Sequence, residues 1–344
     1  MNRVELVKQL DLISPALADN NLVPIFTCYT FEHNIVYASS DSLTILAPSE
    51  PTGQKMPFAV AGVTLRELLK NSGGTDVKFN IIKDTLVVET GKSTFKLPYF
   101  GATDLIFREP VEEKWAVKVP INEDLLRGIS ICLTTTSRDN SMPAIMGVCF
   151  SDINIFSCDG DAITRVATKF ITKGVYTVSN QFCDALLKIC NETETTEGTL
   201  EINNNWAKAT LKNGFIIYGR IIENDNPLDH ATLIKDTMKG EGKFVPLPEG
   251  FDEALSRARV LADLESKPTT LVVEGNKLKL ITDTILGEAI DVLGIKGHPP
   301  VQASVHASLV QRSIKVCDQI SIRTNCTCYR LGDTVLQVVS NLGE

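Results

Sequence analysis

The sequence predicts an α+β protein built from three tandem copies of one helix–strands–helix–strands domain. A set of anchors, namely an apolar helical residue, a proline and an aspartate, recurs at nearly constant spacing. The anchors are Leu10, Pro24 and Asp41, then Ile129, Pro143 and Asp159, then Leu255, Pro268 and Asp283. The helix-to-proline spacings are 14, 14 and 13 residues, and the proline-to-aspartate spacings are 17, 16 and 15. The copies recur at roughly 120 residues, far above the solenoid period of about 20–50, so we expect triplication of a whole domain.

Each copy shows the same order of patterns. An apolar helix pattern precedes short strand-like runs, and a second helix pattern precedes a second group of alternating strands. The segments with the second helices are FAVAGVTLRELLKN at 58–71, YTVSNQFCDALLKICN at 176–191 and VQASVHASLVQRSIKVC at 301–317. Two helices per copy predict six helices in the chain.

Domain boundaries are expected in charged or glycine-containing segments. A chain of 344 residues is long enough for two or three domains. Segments near 112–118 and 236–245 have the composition of linkers. We therefore predict domains at 1–115, 116–240 and 241–344.

Composition excludes several classes of protein. No apolar run approaches the roughly 18 residues of a membrane-spanning helix. The N-terminal segment MNRVELVKQLDLIS carries acids and lacks an apolar signal core, so we expect a cytoplasmic protein. The nine cysteines include no CxxC pair, and we interpret them as small buried hydrophobic residues in a reducing compartment, with no metal site and no cofactor.

An enzyme is not expected. A cysteine hydrolase using Cys183 or Cys190 with His230 or His306 would need a thiolate–imidazole pair oriented by a third group, and no spacing suggests one. The sequence has no P-loop and no GxGxxG motif after a strand, and the Asp-Gly-Asp turn at 159–161 lacks the further acids of a calcium loop.

Charge is distributed unevenly along the chain, whose net charge is −8. Acids concentrate in connecting stretches at 109–113, 192–197 and 223–229, whereas the predicted helices carry basic residues. These basic residues are Lys8, Arg66, Lys70, Arg127, Lys188, Arg257, Arg259, Arg312 and Lys315. Basic helices within an acidic shell predict one helical face that contacts the phosphates of double-stranded DNA. Ordinary solvated helix faces are the alternative.

Packing distances favour two chains. Helices pack about 8–10 Å apart, so six helices closing a ring leave a hole on the order of 10 Å, too small for duplex DNA. Twelve helices leave a hole near 30 Å, which clears a duplex of roughly 20 Å. A head-to-tail homodimer with two identical joints closes such a ring of six domains.

Three segments resemble a known family. The segment LLRGISICLTTTSRDNSMPAIMGVCFSDINIFSCDGDAITRVA, together with TLRELLK and TGKSTFKLP, is similar to the bacterial DNA polymerase III beta subunit, the sliding clamp. The likeness covers essentially the full length in architecture, and its most specific part is Asp159-Gly160-Asp161-Ala162-Ile163. Cys158 stands where the family has threonine and Ala162 where it has arginine. These departures indicate a divergent member. A phage-encoded origin is one interpretation, and it would place the protein in the host cytoplasm.

The resemblance implies the DNA clamp fold and a ring that encircles DNA and tethers the replicative DNA polymerase as a processivity factor. Such a ring needs weak, sequence-independent phosphate contacts and no catalytic residues. The same ring used as a tether for transcription, repair or nuclease factors is an open alternative, because the difference lies in the partner's peptide.

The family's partner pocket lies between the second and third domains. It receives a short apolar peptide motif of the polymerase and of the clamp loader. By position its walls here are Cys158, Gly160, Asp161, Ile163, Ile234, Val338, Ser340 and Leu342. Ser340 stands where the family commonly has methionine, and Asp161 adds a charge, so the preferred peptide is expected to differ. Ile163, Ile234 and Val338 are alternatively plain core.

The joint between subunits is expected to pair the first domain with the third domain of the other chain. Val260 and Leu261 would supply apolar contact, and Lys92, in the predicted TGKSTF strand, would face Glu288 or Asp291. Exposed ion pairs of this kind set register more than affinity. Lys92 is alternatively an edge-strand lysine that deters aggregation.

Overall fold

The computed structural model describes residues 1–19, 22–105, 114–139, 142–223, 227–239, 242–265 and 267–342. Helices and strands alternate in groups along the chain, which confirms the predicted α+β class. The α-helices are α1 (Arg3–Ile13), α2 (Gly62–Lys70), α3 (Glu123–Leu133), α4 (Asn180–Glu192), α5 (His230–Thr237), α6 (Phe251–Glu265) and α7 (Ala307–Ile314). Among the described residues, none of these helices is both long and apolar enough to cross a membrane.

The strands follow nearly one order in each copy. A short strand or bridge precedes the first helix, a group of strands follows it, and three strands follow the second helix, with the short β8 as a fourth in the first copy. The first copy contains β1 (Cys28–Glu32), β2 (Ile35–Ser39), β3 (Leu43–Pro48), β4 (Phe58–Ala61), β5 (Val77–Ile82), β6 (Thr85–Thr90), β7 (Ser93–Leu97) and β8 (Tyr99–Phe100). The second contains β9 (Val117–Ile121), β10 (Gly147–Cys158), β11 (Ala162–Ser179), β12 (Gly198–Ile202), β13 (Trp206–Leu211) and β14 (Ile216–Arg220). The third contains β15 (Val245–Pro246), β16 (Thr269–Glu274), β17 (Lys277–Thr284), β18 (Gly287–Gly294), β19 (Val301–Val305), β20 (Gln319–Ile322), β21 (Cys326–Leu331) and β22 (Val335–Ser340).

The chain divides into two compact units. Unit 1 is Met1–Leu126 with Val178–Glu223, and unit 2 is Arg127–Thr177 with Asn224–Glu344. Unit 1 holds a nine-stranded sheet, β8-β4-β1-β2-β3-β14-β13-β12-β9, and the three-stranded sheet β5-β6-β7. Unit 2 holds a six-stranded sheet, β10-β11-β22-β21-β20-β15, and the four-stranded sheet β18-β17-β16-β19.

Each unit combines parts of two predicted copies. The three-domain division with boundaries at 115 and 240 therefore stays a prediction. Residues 112–113 and 240–241 of the predicted linkers lie outside the described residues, as does the predicted acidic stretch at 109–113.

Two strand pairings join consecutive copies in the same way. In unit 1, β14 of the second copy pairs antiparallel with β3 of the first, and in unit 2, β22 of the third copy pairs antiparallel with β11 of the second. A backbone hydrogen bond extends each pairing at the corresponding end. The Arg220 amide donates to the Ser42 carbonyl at 2.9 Å, and the Ser340 amide donates to the Asp161 carbonyl at 2.8 Å. The last strand of a later copy thus completes the sheet of the copy before it.

The prediction of six helices is wrong for the part of the chain that the structure describes, because α5 forms a seventh where the sequence NPLDHATLI at 226–234 predicts a turn. Asp229 caps α5, and its carboxylate accepts the Thr232 amide at 2.9 Å, which satisfies a backbone donor that otherwise lacks an intrahelical partner. The apolar face of α5 then buries Ile234, while His230 stacks on Phe156 with ring centroids 5.4 Å apart.

All nine cysteines lie in the described part of the chain, are buried and form no disulfide there, which agrees with their interpretation as small buried residues. Cys183 is fully buried, and burial raises the pKa of the Cys190 thiol to about 11. A thiol in that state is a poor nucleophile near neutral pH. This disfavours the alternative of a cysteine hydrolase.

A glycine of β14 allows α4 to lie close to the strand pairing of β14 with β3, which joins the first two copies. A Cβ atom at Gly219 of β14 would come within 2.8–2.9 Å of the Phe182 side chain of α4. We expect Gly219→Ala to lower the free energy of unfolding by roughly 1–3 kcal/mol, the usual cost of overpacking. Chemical denaturation measures the change. Gly73→Ala is the matched control, since a Cβ there meets no atom within 4 Å. Equal stability of the two variants would contradict this packing.

The buried imidazole of His230 makes stability depend on pH. Burial lowers the pKa of His230, so the folded chain resists a proton that the unfolded chain accepts. The contribution of the neutral His230 to the free energy of unfolding is therefore fully present above about pH 6.5, the ordinary histidine pKa. It is lost as the pH drops below that value. We expect His230→Phe to lose less stability between pH 7 and pH 5.5 than the unsubstituted protein, by up to about 1.4 kcal/mol per unit of pKa shift. Denaturant titrations at both pH values measure this, with His306→Asn as control. A parallel pH dependence of the wild type and His230→Phe would exclude His230 as the cause.

Candidate nucleic-acid interface and peptide pocket

Four of the predicted basic residues converge on one groove of unit 1. Helix α1 packs against both α2 and α4, so side chains of three helices line one shared concave groove. The volume of this groove is about 610 Å³. The basic residues lining it are Lys8 of α1, Arg66 and Lys70 of α2, and Lys188 of α4. We call this surface the basic groove.

Asp11 organises the basic groove. Its Oδ1 lies 2.8 Å from Lys70 Nζ and 3.7 Å from Arg66 Nε, and its carbonyl oxygen accepts Lys188 Nζ at 2.9 Å. The lining contains four cations against the carboxylates of Asp11 and Glu192, so the groove stays positive. The carboxylate thus lies between two of the cations, Lys70 and Arg66, and limits their mutual repulsion, while the groove keeps an excess of positive charge for an anion.

The remaining basic residues are placed differently. Arg127 is exposed on α3, and Lys315 is exposed at the end of α7. Three arginines instead bind groups of unit 2. Arg257 contacts Asp291 with two nitrogens, the closest pair at 2.6 Å. Arg259 binds Asp263 at 2.9 Å, and Arg312 binds Asp159 at 3.1 Å. A phosphate would have to compete with a carboxylate for each of these three arginines.

The apolar residues predicted for the peptide pocket meet in one cluster of unit 2. Ile163, Ile234, Val338 and Cys158 are each at most 7 % exposed. The other buried members of the cluster are Ile145, Cys149, Phe156, Cys326, Cys328 and Leu336. This apolar cluster therefore has the character of core at its centre, in line with the alternative that these residues are plain core.

Partly buried side chains at its edge were missed by the sequence reasoning. They are Leu228, Leu233, Met238 and Phe244. Leu233, Ile234 and Met238 have the spacing of one helix face, a signal hidden by reading this stretch as a turn. Arg330 lies over the Phe244 ring, 4.2 Å from its centroid, and adds a cation at the margin.

The remaining residues predicted for the pocket lie at or just beyond the ends of strands. Gly160 and Asp161 form the exposed turn between β10 and β11, and Ser340 ends β22 beside them. The Leu342 amide donates to the carbonyl of Ser304 at 2.8 Å, away from that turn. Three of these four residues therefore adjoin the apolar cluster through the β11–β22 pairing.

Residues predicted for the subunit joint occur at two strand edges. Lys92 lies in the turn before β7 rather than within a strand, because β7 begins at Ser93 after Gly91 turns the chain with φ +57°. Glu288 is exposed on β18. Asp291 already binds Arg257 of the same chain, so it is not available as a simple partner for Lys92.

An exposed apolar surface accompanies β18. Val260 of α6 is 66 % exposed, and Leu261 next to it is half-buried. Further exposed residues, which the sequence reasoning missed, are Leu264, Ile285, Leu286, Ile290 and Val292. Alternation alone cannot identify Ile290 and Val292, because a strand at an open sheet edge has the same period-2 pattern as a strand that is paired on both sides.

Solved structures resemble the chain over its full length. The DNA polymerase III beta subunit of Thermotoga maritima has a TM-score of 0.85 and 16 % identity, covering 100 % of this chain and 98 % of that one. The DNA polymerase sliding clamp of Caulobacter crescentus has a TM-score of 0.85 and 16 % identity, covering 100 % and 99 %. The sliding clamp of Pseudomonas aeruginosa bound to griselimycin has a TM-score of 0.85 and 15 % identity, covering 100 % and 98 %. No family model and no curated protein matches the sequence. The chain has the sliding-clamp fold that its repeats and motifs predict.

Proposed function

We propose that this protein is a DNA sliding clamp, a homodimeric ring that encircles duplex DNA and tethers the replicative DNA polymerase as a processivity factor. The observation that carries the proposal is the repeated joint between copies. Support also comes from full-length similarity to beta subunits of DNA polymerase III and from the basic groove.

The strand pairings between copies predict what the open sheet edges of the first and third copies bind. The first and second copies join through β3 and β14, and the second and third through β11 and β22. In the third copy the strand equivalent to β3 and β11 is β18, and among the described residues it pairs only with β17. In the first copy the strand equivalent to β14 and β22 is β7, which in the same set pairs only with β6.

A second copy of the chain fits both edges. If β18 of one chain pairs with β7 of another as the internal joints pair, two such contacts are identical and close a dimer. Exposed long edge strands otherwise invite uncontrolled association. The exposed apolar side chains of Ile290 and Val292 lie on β18 itself, where such a joint would bury them.

The basic groove suits a clamp that slides. Lysine and arginine contacts to phosphate are sequence-independent and weaken with salt, so they hold the duplex without favouring any site. Lys8 and Lys188 approach from two different helices, which spreads positive charge along the surface. Such a role requires no catalytic group.

The apolar cluster with its edge residues is proposed as the site for a short apolar peptide of the polymerase and the clamp loader. Peptide anchors of this kind enter grooves between packed elements. A ring with the same pocket could tether transcription, repair or nuclease factors, and identification of the bound partner separates these roles.

Solution mass and DNA topology test the ring. We expect a mass of twice the chain and, after loading, retention on circular DNA with loss from linearised DNA. Ile290→Lys should weaken dimerisation about tenfold or more, as loss of an interface anchor does, and abolish retention on circles. Met56→Lys, at a residue 64 % exposed and outside the proposed joint, is the control. A monomer that binds both DNA forms equally would reject the proposal.

Salt dependence tests the basic groove. The double variant Lys8→Gln with Lys188→Gln should bind DNA more weakly and lower the slope of log K against log salt by about 1.8, since each phosphate contact contributes about 0.9. The matched control is Lys118→Gln with Lys212→Gln, two exposed lysines of unit 1 that pair with Glu201 and Glu197. An equal change in slope for both pairs would indicate a general charge effect and remove the groove from the DNA face.

A further inference from the structure

Arg312 connects α7 with two other segments of unit 2. Its Nη1 donates to the carbonyl oxygen of Thr134, just beyond α3, at 2.8 Å. Its Nη2 donates to Oδ2 of Asp159 at 3.1 Å. The Arg312 side chain is 39 % exposed and that of Asp159 is 14 % exposed, so water only partly screens the pair. Both terminal nitrogens of this guanidinium are thus engaged within the chain.

Asp159 closes the turn between β10 and β11. Its Oδ1 accepts the amides of Asp161 at 3.1 Å and of Ala162 at 2.8 Å. Gly160 between them has φ +100°, a conformation that glycine adopts without the steric cost of a Cβ. One carboxylate therefore serves the turn with one oxygen and Arg312 with the other.

The β10–β11 turn binds the end of β22. The Asp161 carbonyl accepts the Ser340 amide at 2.8 Å. Two residues inward along the same pairing, Ile163 faces Val338, and both belong to the apolar cluster. A movement of the turn would therefore shift the strand ends that border the proposed peptide pocket.

We propose that Arg312 is a positioning residue of the peptide pocket. By binding Asp159 it fixes the β10–β11 turn, and with it the edge of the apolar cluster on which an apolar peptide of a partner packs. The inference rests on the proposed function, because it assigns Arg312 a task at that pocket. The competing role is the phosphate contact predicted from the sequence.

The two roles differ in what they predict for Asp159. Neutralising Asp159 frees the guanidinium for phosphate, so a DNA-contacting Arg312 would hold DNA more tightly. For a positioning Arg312 the same change loosens the turn and leaves DNA retention as it was. Asp159→Asn keeps an oxygen that accepts the turn amides and removes the charge that Arg312 binds.

The test compares Arg312→Gln, Asp159→Asn, their double variant and Arg312→Lys in the full chain. Hydrogen exchange is followed in segments 158–164 and 336–342. Griselimycin, bound to a similar clamp, is the peptide-like probe. Its affinity is measured by calorimetry, and its protection of the same two segments shows that it occupies the pocket. Retention on circular DNA is the third measurement, and Lys212→Gln is the control.

We expect faster exchange in both segments and about tenfold weaker griselimycin binding in each single variant, the loss typical of one charge-assisted hydrogen bond. The double variant should be no weaker than either single one, because both changes remove the same interaction. Arg312→Lys should recover part of the affinity, since the ammonium reaches Asp159 without the second hydrogen bond.

Unchanged exchange, additive losses of griselimycin affinity, or tighter DNA retention by Asp159→Asn would each overturn the inference. Absence of griselimycin protection at these segments in the unsubstituted protein would overturn it as well. A dimer that stays on circular DNA in that case keeps the clamp function, whereas loss of ring retention with a normal turn response rejects the clamp and not the Arg312 contact.

Discussion

Backbone hydrogen bonding between copies is the constraint on which the rest of the structure depends. A strand whose N–H and C=O groups lack partners is costly unless water or another strand satisfies them. Here β3 and β11 obtain their outer partners from β14 and β22 of the following copy. The apolar cluster of unit 2 forms across one of these pairings, so the candidate pocket is a product of the joint and not of either copy alone.

Charge in this protein has two uses that a sequence does not distinguish. The basic groove keeps an excess of cations around Asp11, whereas Arg257, Arg259 and Arg312 are held by carboxylates of unit 2. Arginine presents several donors in a fixed plane and suits such multiple contacts, while lysine offers one flexible point charge. Lys8 and Lys188 are accordingly better suited to transient contact with phosphate than the three arginines.

The periodic part of the sequence predicted the fold because buried positions must recur. Leu10, Ile129 and Leu255, the apolar anchors of the three copies, are at most 1 % exposed. The helix α5 was missed because its N-cap residue, Asp229, follows a proline-containing stretch that looks like a loop. The partners of Arg312 could not be predicted, since Thr134 and Asp159 are more than 150 residues away and only the β10–β11 turn brings the carboxylate to α7. Of the candidate site, the residue types were therefore predictable and their ionic partners were not.

The joints also dictate an order of events during synthesis. Strand β3 ends at Pro48, but its outer partner β14 begins at Ile216. At about 5–20 residues per second, the ribosome needs on the order of ten to thirty seconds to make the intervening chain. Strand β11 waits similarly for β22, which begins at Val335. Nascent chains therefore carry an open sheet edge until the later strand is made, which makes them natural clients for chaperones and makes loss of β22 more damaging than its length suggests.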